Sequence, residues 1–334
     1  MHAYLHRGTE LTDKPITGTP KVALVKTGTY DSEIIAPAIE KVFSLLGGTG
    51  KFVTGGDRVL IKPNLIAPRP NESAVQTHAA VILEIARVLK DIGAKPFIAD
   101  SPAWKNTQAC IKIIGLEEPL KKLGVPVCQL NNGKRIKIAG SSVAVSEVAL
   151  EADKIINVPK FKTHQQLTAT FAVKNIFGCV PGKEKAFWHF ARGKSHHDFC
   201  EMLLEIYKLL NPAICIIDAV IAMEGMGPLS GTPRKLGCLV ASSDPIACEF
   251  VCAKLIDMKP QELPIVKAAK KIGFGCCDQD SIEIVGDDVN ELKCPDFKRA
   301  NPIPLRFSFP RICKSAAKQL FFMAKETMGG NKDR

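Results

Sequence analysis

Three cationic or titratable side chains alternate along one short run of the sequence, VPKFKTH at residues 158–164. Residues two apart in an extended chain share a face, so Lys160, Lys162 and His164 are predicted to project together. Such groups repel one another unless they meet an anion or a carboxylate, and crowding lowers a lysine pKa. We interpret the lysines as groups that bind a carboxylate or phosphate, and His164 as a general acid/base. A solvated, charged edge strand is the alternative interpretation.

Another lysine lies in the apolar stretch FAVKNIFG at residues 171–178. A lysine inside a helical apolar run either extends its ammonium group to the surface or faces a site. We therefore group Lys174 with Lys160 and His164 as candidate catalytic residues. Asn175, which follows it, is a candidate ligand-binding residue.

A basic segment follows the Pro-Gly pair at residues 181–182 and contains Lys183, Lys185 and His189. It is predicted to be a mobile loop. A basic loop beside a cleft can close over phosphate or carboxylate groups, and His189 is then expected to contact the ligand. A plain surface loop is an equal alternative.

Polar residues also follow the predicted strands, with Lys62 and Asn64 after one and Asp100 and Ser101 after the next. Ligands of open α/β sheets bind at the carboxyl ends of strands, which favours a shared site. The alternative is that strand ends are exposed and loops are polar in any protein. The candidate ligand-binding residues are Lys62, Asn64, Asp100, Ser101, Lys162, Asn175 and His189.

Two acidic residues, Asp218 and Glu224, flank the segment AVIAM and precede a turn containing Gly225 and Gly227. Carboxylates of this kind could hold a hard divalent metal ion, with Asp100 as a third ligand. They could equally be salt-bridge partners for the lysines. The glycines form neither GxGxxG nor GxxxxGK[ST], so neither standard nucleotide fingerprint is present.

Composition narrows the class of protein. The low aromatic content of 6% argues against a base-stacking nucleic-acid module. No apolar run is long enough for a spanning helix, and the polar N-terminus predicts no export signal, so a cytoplasmic location is expected. The 12 cysteines include no CxxC pair and no ferredoxin motif, and we interpret most as small buried apolar residues. An iron-sulfur cluster assembled from distant cysteines is the alternative.

The elements that must position these groups alternate between apolar strands and amphipathic helices, which is typical of a doubly wound, mostly parallel α/β sheet. Asp244 and Pro245 are predicted to cap and begin one of the helices. Strands are predicted at residues 21–26, 58–61, 95–99, 153–158, 214–217, 235–241 and 282–285. Helices are predicted at residues 34–46, 79–91, 195–210, 246–256 and 261–271.

The predicted organisation is one α/β unit over residues 1–288, with an inserted α+β segment at about 125–194. A hairpin around Asn131-Asn132-Gly133 is expected in that insertion. Residues 289–334 form a basic tail, predicted to be partly helical. Membrane-surface or partner docking of this tail and packing onto the core are both open. One face of the tail helix would carry Ile312, Ala316, Leu320 and Phe321.

The motifs taken together resemble the domain-of-unknown-function family 362 of bacteria and archaea, in order over about residues 20–275. They are KPN at 62–64, VPKFKTH at 158–164, VKNIFG at 173–178, DA at 218–219, MEG at 223–225, GP at 227–228 and SDP at 243–245. The resemblance implies an α/β fold and no established activity. Where that family has an Asp in the helix after Asp244-Pro245, this chain has Cys248-Glu249.

Members of that family are often joined to a ferredoxin-like module binding four-iron four-sulfur clusters. This chain lacks those cysteines, so the resemblance leaves room for a separate ferredoxin-like partner. More faintly, the organisation is similar to the lactate racemase family, whose Lys and His residues serve a nickel-pincer cofactor.

The sequence is compatible with three functions. The first is an enzyme, or a binding protein derived from one, that acts on a small anionic metabolite through the Lys/His cluster. The second is an iron-sulfur-associated redox accessory protein. The third is a non-catalytic scaffold that docks through its basic tail.

Overall fold

The computed structural model describes residues 19–306, apart from the side chain of Lys183. The strands are β1 (Lys21–Lys26), β2 (Arg58–Pro63), β3 (Lys95–Asp100), β4 (Val127–Gln129), β5 (Gly133–Ile138), β6 (Ser141–Ser146), β7 (Lys154–Val158), β8 (Lys160–His164), β9 (Thr168–Thr170), β10 (Ile214–Glu224), β11 (Thr232–Ser242) and β12 (Glu283–Gly286). The helices are α1 (Ser32–Leu45), α2 (Ala79–Asp91), α3 (Thr107–Ile113), α4 (Glu117–Leu123), α5 (Glu147–Leu150), α6 (Ala172–Asn175), α7 (Gly182–Ala191), α8 (His196–Leu210), α9 (Pro245–Leu255) and α10 (Pro264–Ile272).

A ten-stranded sheet has the order β12-β1-β11-β10-β7-β2-β3-β4, with β8 paired to β10 and β9 paired to β8. The strands from β10 through β4 along this order pair in parallel, as do β8 with β10 and β1 with β12. Strand β11 is antiparallel to both neighbours, and β9 is antiparallel to β8. The prediction of a mostly parallel α/β sheet is therefore confirmed.

Helices cover both faces of this sheet. Successive side chains of a strand point to opposite faces, so a buried strand contributes apolar side chains to both. In β2, Val59 and Ile61 belong to the same buried cluster as Ile85 of α2. Leu60 between them belongs to the buried cluster that contains Leu203 of α8. The strands are thus apolar on both sides, as expected of a doubly wound sheet.

The start of α9 follows the predicted capping chemistry. Asp244 Oδ1 accepts hydrogen bonds from the backbone N–H groups of Ile246 and Ala247, at 2.8 and 3.1 Å. Pro245 occupies the first helical position, where a missing N–H costs no intrahelical bond. This buried cap fixes the end of β11 against the helix that follows it.

The hairpin expected in the insertion is present as β5–β6, and it turns at Ala139-Gly140, both of which have positive φ, after the Asn131-Asn132-Gly133 segment. Two other local predictions were wrong. Strand β10 continues to Glu224, because the residues after Asp218 are apolar and pair with β11. Residues 182–191 form helix α7 where a loop was predicted, because Trp188 and His189 are buried against the core.

Residues 125–194 contribute β4, β7, β8 and β9 to the main sheet and form the separate two-stranded sheet β5–β6. The division at residue 288 stays a prediction, and the helical face predicted at Ile312, Ala316, Leu320 and Phe321 lies outside the described residues. Across residues 19–306, each helix is too short or too polar to traverse a lipid bilayer.

Candidate functional site

The carboxyl ends of three neighbouring parallel strands, β3, β2 and β7, meet at one edge of the sheet. Lys62 on β2 and Asp100 at the end of β3 form a buried ion pair, with 2.8 Å between Nζ and Oδ1. Asp100 also accepts hydrogen bonds from the backbone N–H groups of Leu65 and Ser101, each at 2.7 Å. The structure thus brings Lys62, Asp100 and Ser101 together, and it leaves little spare capacity on the Asp100 carboxylate.

Gly178 packs directly against this ion pair. A Cβ atom at position 178 would lie 2.3 Å from Asp100 Oδ1 and 2.5 Å from Lys62 Nζ, far inside a van der Waals contact. The segment after α6 can therefore approach the pair closely only because residue 178 has no side chain.

A chain of asparagines joins the same strand ends to α6. Asn175 Nδ2 donates to Asn157 Oδ1 at 2.8 Å and to the Lys62 carbonyl at 3.1 Å, and its Oδ1 accepts from Asn64 Nδ2 at 3.0 Å. Asn64 Oδ1 is buried and accepts no hydrogen bond from any group within residues 19–306. Asn64 and Asn175, both predicted as ligand-binding residues, therefore lie together and present one open acceptor.

All five residues of β8 are buried, so the solvated edge strand considered for this segment is wrong. Lys160 Nζ donates to Asp218 Oδ2 at 2.9 Å and to the Tyr30 hydroxyl at 2.8 Å. The Tyr30 hydroxyl donates in turn to Asp218 Oδ1 at 2.7 Å, and the His78 backbone N–H donates to Oδ2 at 2.9 Å. Lys160 is thus neutralised by its own carboxylate, which is a structural arrangement.

Lys162, Lys174 and Lys185 differ from Lys160 because no carboxylate within residues 19–306 forms an ion pair with them. Lys162 Nζ donates to the Val75 carbonyl at 2.7 Å, and Lys185 Nζ donates to the Ser101 carbonyl. Lys174 Nζ lies over two aromatic rings, 4.4 Å from the Phe177 centroid and 5.9 Å from that of Phe199. These three residues form the lysine cluster.

Burial lowers the pKa of each lysine in the cluster, and repulsion from other lysines contributes. Burial, followed by the charges of Lys174 and Lys160, lowers the pKa of Lys162 to about 7. Burial and the charge of Lys185 lower the pKa of Lys174 to about 7, and burial lowers that of Lys185 to about 8. An anion placed among them would favour the charged forms and raise these pKa values again.

His164 and His189 lie beside the lysine cluster. Burial, then the charges of Lys174 and His189, lowers the pKa of His164 well below its usual value. His164 Nδ1 accepts from the Gln166 backbone N–H at 3.1 Å, so the neutral ring carries its proton on Nε2. His189 packs between Phe199 and Phe177. His164 is therefore placed to donate a hydrogen bond from Nε2. Lys162 and Lys174, whose pKa values lie near neutral pH, are better suited to proton transfer than His164 is.

Asp218 and Glu224 do not come together. They lie six residues apart on β10, a separation of roughly 20 Å at about 3.3 Å per residue. Glu224 Oε2 accepts from the Lys298 backbone N–H at 2.9 Å. Among residues 19–306, no group of three or more His, Cys, Asp or Glu side chains could hold a metal ion. The alternative interpretation, that these acids are salt-bridge partners for the lysines, holds for Asp218, which pairs with Lys160.

The cysteines of the described range are free thiols and mostly buried. Burial raises the pKa of Cys179 and of Cys200 to about 12, which keeps both thiols protonated at neutral pH. Their surroundings suit small apolar side chains, in line with the interpretation given to them above.

Two residues of the site were missed in the sequence. Tyr30 precedes α1 in an ordinary polar turn, and nothing in its neighbourhood points to Lys160. Glu249 gave a usable signal, because it is an acid inside the apolar helix PIACEFVCAKL. Its Oε1 accepts from the Val173 backbone N–H at 3.1 Å, which holds the start of α6 and hence Lys174. Burial raises the pKa of Glu249 to about 8.

Three comparisons with known proteins each find similarity to this chain. The family model described as Domain of unknown function (DUF362) matches residues 59–254. A protein of Synechocystis sp. described as thylakoid-associated is 34% identical over 304 residues, covering 90% of this chain and 94% of that protein. The lactate racemase apoprotein from Thermoanaerobacterium thermosaccharolyticum is 14% identical with a TM-score of 0.46, covering 71% of this chain and 57% of that one. The match to the family model confirms the resemblance to that family that the sequence motifs indicate.

Proposed function

We propose that this chain, which belongs to the domain-of-unknown-function family 362, binds a small anionic ligand at the carboxyl edge of its sheet. The ligand carries a carboxylate or a phosphate, and Lys162, Lys174 and Lys185 hold it. The supporting observation is the charge imbalance of this edge. Lys62 and Lys160 each have a carboxylate partner, whereas the lysine cluster has none within residues 19–306.

The cost of that imbalance supports the proposal. Burying an ammonium group without a counter-charge is expensive, and such groups lose their protons or acquire a partner. This cost applies to each of the three lysines of the cluster, and it lowers their pKa values. An anionic ligand would remove the cost, so binding of anions is what this arrangement favours.

The surrounding groups have distinct roles in this proposal. Lys162 and Lys174, with pKa values near 7, exchange protons with the ligand, and His164 donates a hydrogen bond from Nε2. Asn64 Oδ1 accepts from a ligand hydroxyl or amine. The Lys62–Asp100 pair and the Lys160–Asp218 pair position the edge without contacting the ligand charge. This describes a ligand site with acid/base groups, as an enzyme of small anionic metabolites requires.

Calorimetric titration with oxalate and with sulfate, at constant ionic strength, tests the proposal. Wild type is expected to bind at least one of them. Lys162→Met and Lys174→Met are each expected to weaken binding by about 10- to 100-fold, because a hydrogen bond to a charged group contributes about 1.5–3 kcal/mol. Lys121→Met, an exposed lysine on α4, is the matched control. Equal losses in Lys121→Met, or no binding of either anion, would contradict the proposal.

A second role at a membrane surface is supported by the description of the Synechocystis relative as thylakoid-associated. Helix α7 presents Phe187 and Phe190 to solvent, with side chains 54% and 38% exposed. Exposed Lys194 and the nearby Arg306, which lies over the Phe190 ring at 4.8 Å, add positive charge. An apolar pair with a basic rim suits an anionic lipid surface.

Flotation with vesicles containing anionic lipid tests this second role. The double variant Phe187→Ser/Phe190→Ser is expected to bind at least tenfold more weakly, since burying one Phe contributes about 1.5–3 kcal/mol. Ile113→Ser removes a comparably exposed side chain, 50% accessible on α3, and should bind like wild type. Unchanged flotation of the double variant would rule out α7 as the docking face.

A further inference from the structure

We propose that Lys174 captures a carbonyl carbon covalently, forming an imine with an aldehyde or ketone whose anionic group is held by Lys162 and Lys185. This inference rests on the proposed anion site and names its substrate class, a small oxo acid or a phosphorylated carbonyl compound. The remaining lysines of the edge do not qualify, because Lys62 and Lys160 are committed to carboxylates.

The position of Lys174 carries the inference. Its Nζ lies on the faces of Phe177 and Phe199, and within residues 19–306 no hydrogen bond or ion pair joins it to the protein. Lysines become nucleophilic amines when they are desolvated or placed beside other cationic groups, and Lys174 meets both conditions. Lys174 as a whole residue is half-buried, whereas Lys162 is 1% exposed, so Lys174 is the more accessible of the two.

The helix that carries Lys174 is fixed at both ends. Glu249 accepts from the backbone N–H of Val173 at its start, and the asparagine chain holds Asn175 at its end. The amine is therefore presented from a rigid element, which limits the conformational cost of bringing it to a bound carbonyl group.

The reaction needs no reactant beyond the carbonyl compound. The neutral amine of Lys174 forms a bond to the carbonyl carbon while the π electrons move to oxygen, which takes up the proton that the attacking nitrogen loses. The carbinolamine then loses that oxygen as water as the nitrogen forms a double bond to carbon. Nothing is oxidised or reduced. Lys162, which lies close enough to Lys174 for the two charges to interact, supplies the proton to the departing hydroxyl from its ammonium form.

Reductive trapping tests the inference. The full-length protein is incubated at pH 7.5 with a limiting amount of glyoxylate, which carries an aldehyde and a carboxylate, together with cyanoborohydride, which reduces an imine to a stable amine. Peptide mass mapping is expected to find Lys174 labelled at least about tenfold faster than exposed Lys121, because its amine is desolvated. Oxalate, which resembles glyoxylate but has no aldehyde, should slow the labelling of Lys174 and leave that of Lys121 unchanged.

Two outcomes separate this inference from the function on which it rests. If oxalate or sulfate binds in the calorimeter and Lys174 is labelled no faster than Lys121, the imine is overturned and the anion site stands. If neither anion binds and Lys174 is not labelled, both are overturned. Lys174→Arg, which removes the nucleophilic amine, should abolish the fast labelling at position 174.

Discussion

Asp218→Ala is expected to lower the free energy of unfolding by about 3–5 kcal/mol, the loss typical of breaking a buried ion pair by removing one partner. Lys160 is 1% exposed and Asp218 is fully buried, so the remaining ammonium group could not be solvated. Tyr30 would keep a hydrogen bond to Lys160 but supplies no charge. Urea denaturation of wild type and variant measures the difference.

The double variant Lys160→Met/Asp218→Leu distinguishes a structural pair from a functional one. Replacing both partners by apolar side chains of similar volume removes the uncompensated charge, so most of the lost stability should return. Because the pair does not belong to the lysine cluster, the double variant should also bind oxalate or sulfate like wild type. A stable Asp218→Ala protein, within about 0.5 kcal/mol of wild type, would contradict the buried pair.

The second prediction with a large expected effect concerns Lys162→Met. The stability that this variant gains over wild type should depend on pH. In the folded chain the pKa of Lys162 is about 7, whereas an unfolded lysine titrates near 10.4. Between these values the unfolded state holds a proton that the folded state does not, so stability rises with pH. Burial is the largest cause of this lowered pKa, and the charged groups that act on Lys162 are Lys174, Lys160, Asp100 and Lys62.

Lys162→Met lacks this titrating lysine, so the stability of the variant relative to wild type should be greatest at pH 7 and fall with rising pH. The expected slope is at most about 1.4 kcal/mol per pH unit between pH 7 and 10. Taking the difference between two proteins cancels the contributions of the other titrating groups, such as the buried cysteines and Glu249. Lys121→Met serves as the control, with a flat difference. A flat difference for Lys162→Met would show that this lysine remains charged in the folded chain.

Much of the edge could be predicted because it depends on local patterns. Apolar runs marked the strands, and ligands of parallel sheets gather at their carboxyl ends, so Lys62 and Asp100 were expected near each other. The period of two along residues 158–164 placed Lys160 and Lys162 on one face. Both predictions depend only on the order of the residues and on the regular geometry of strands and of parallel sheets.

What the sequence could not supply were contacts set by long-range register. The acid Asp218 interrupts the apolar run and so predicts the end of a strand, yet β10 continues for another six residues. The acid is tolerated there because parallel pairing places it opposite Lys160. In the same way, the packing of Gly178 on the Lys62–Asp100 pair depends on the closure of α6 over the sheet. Helix α7 was missed because its burial of Trp188 outweighs the Pro-Gly start and the charges that predicted a loop.

The titration with oxalate or sulfate tests the central claim most directly when it is repeated at pH 8 in two buffers that differ in their enthalpy of ionisation. Neither anion changes protonation there, so any difference in heat reports protons taken up by the protein. Binding is expected to raise the pKa values of Lys162 and Lys174, with uptake of about one to two protons. That uptake should fall in Lys162→Met and in Lys174→Met. Binding without proton uptake in wild type would contradict the claim that these lysines meet the anion.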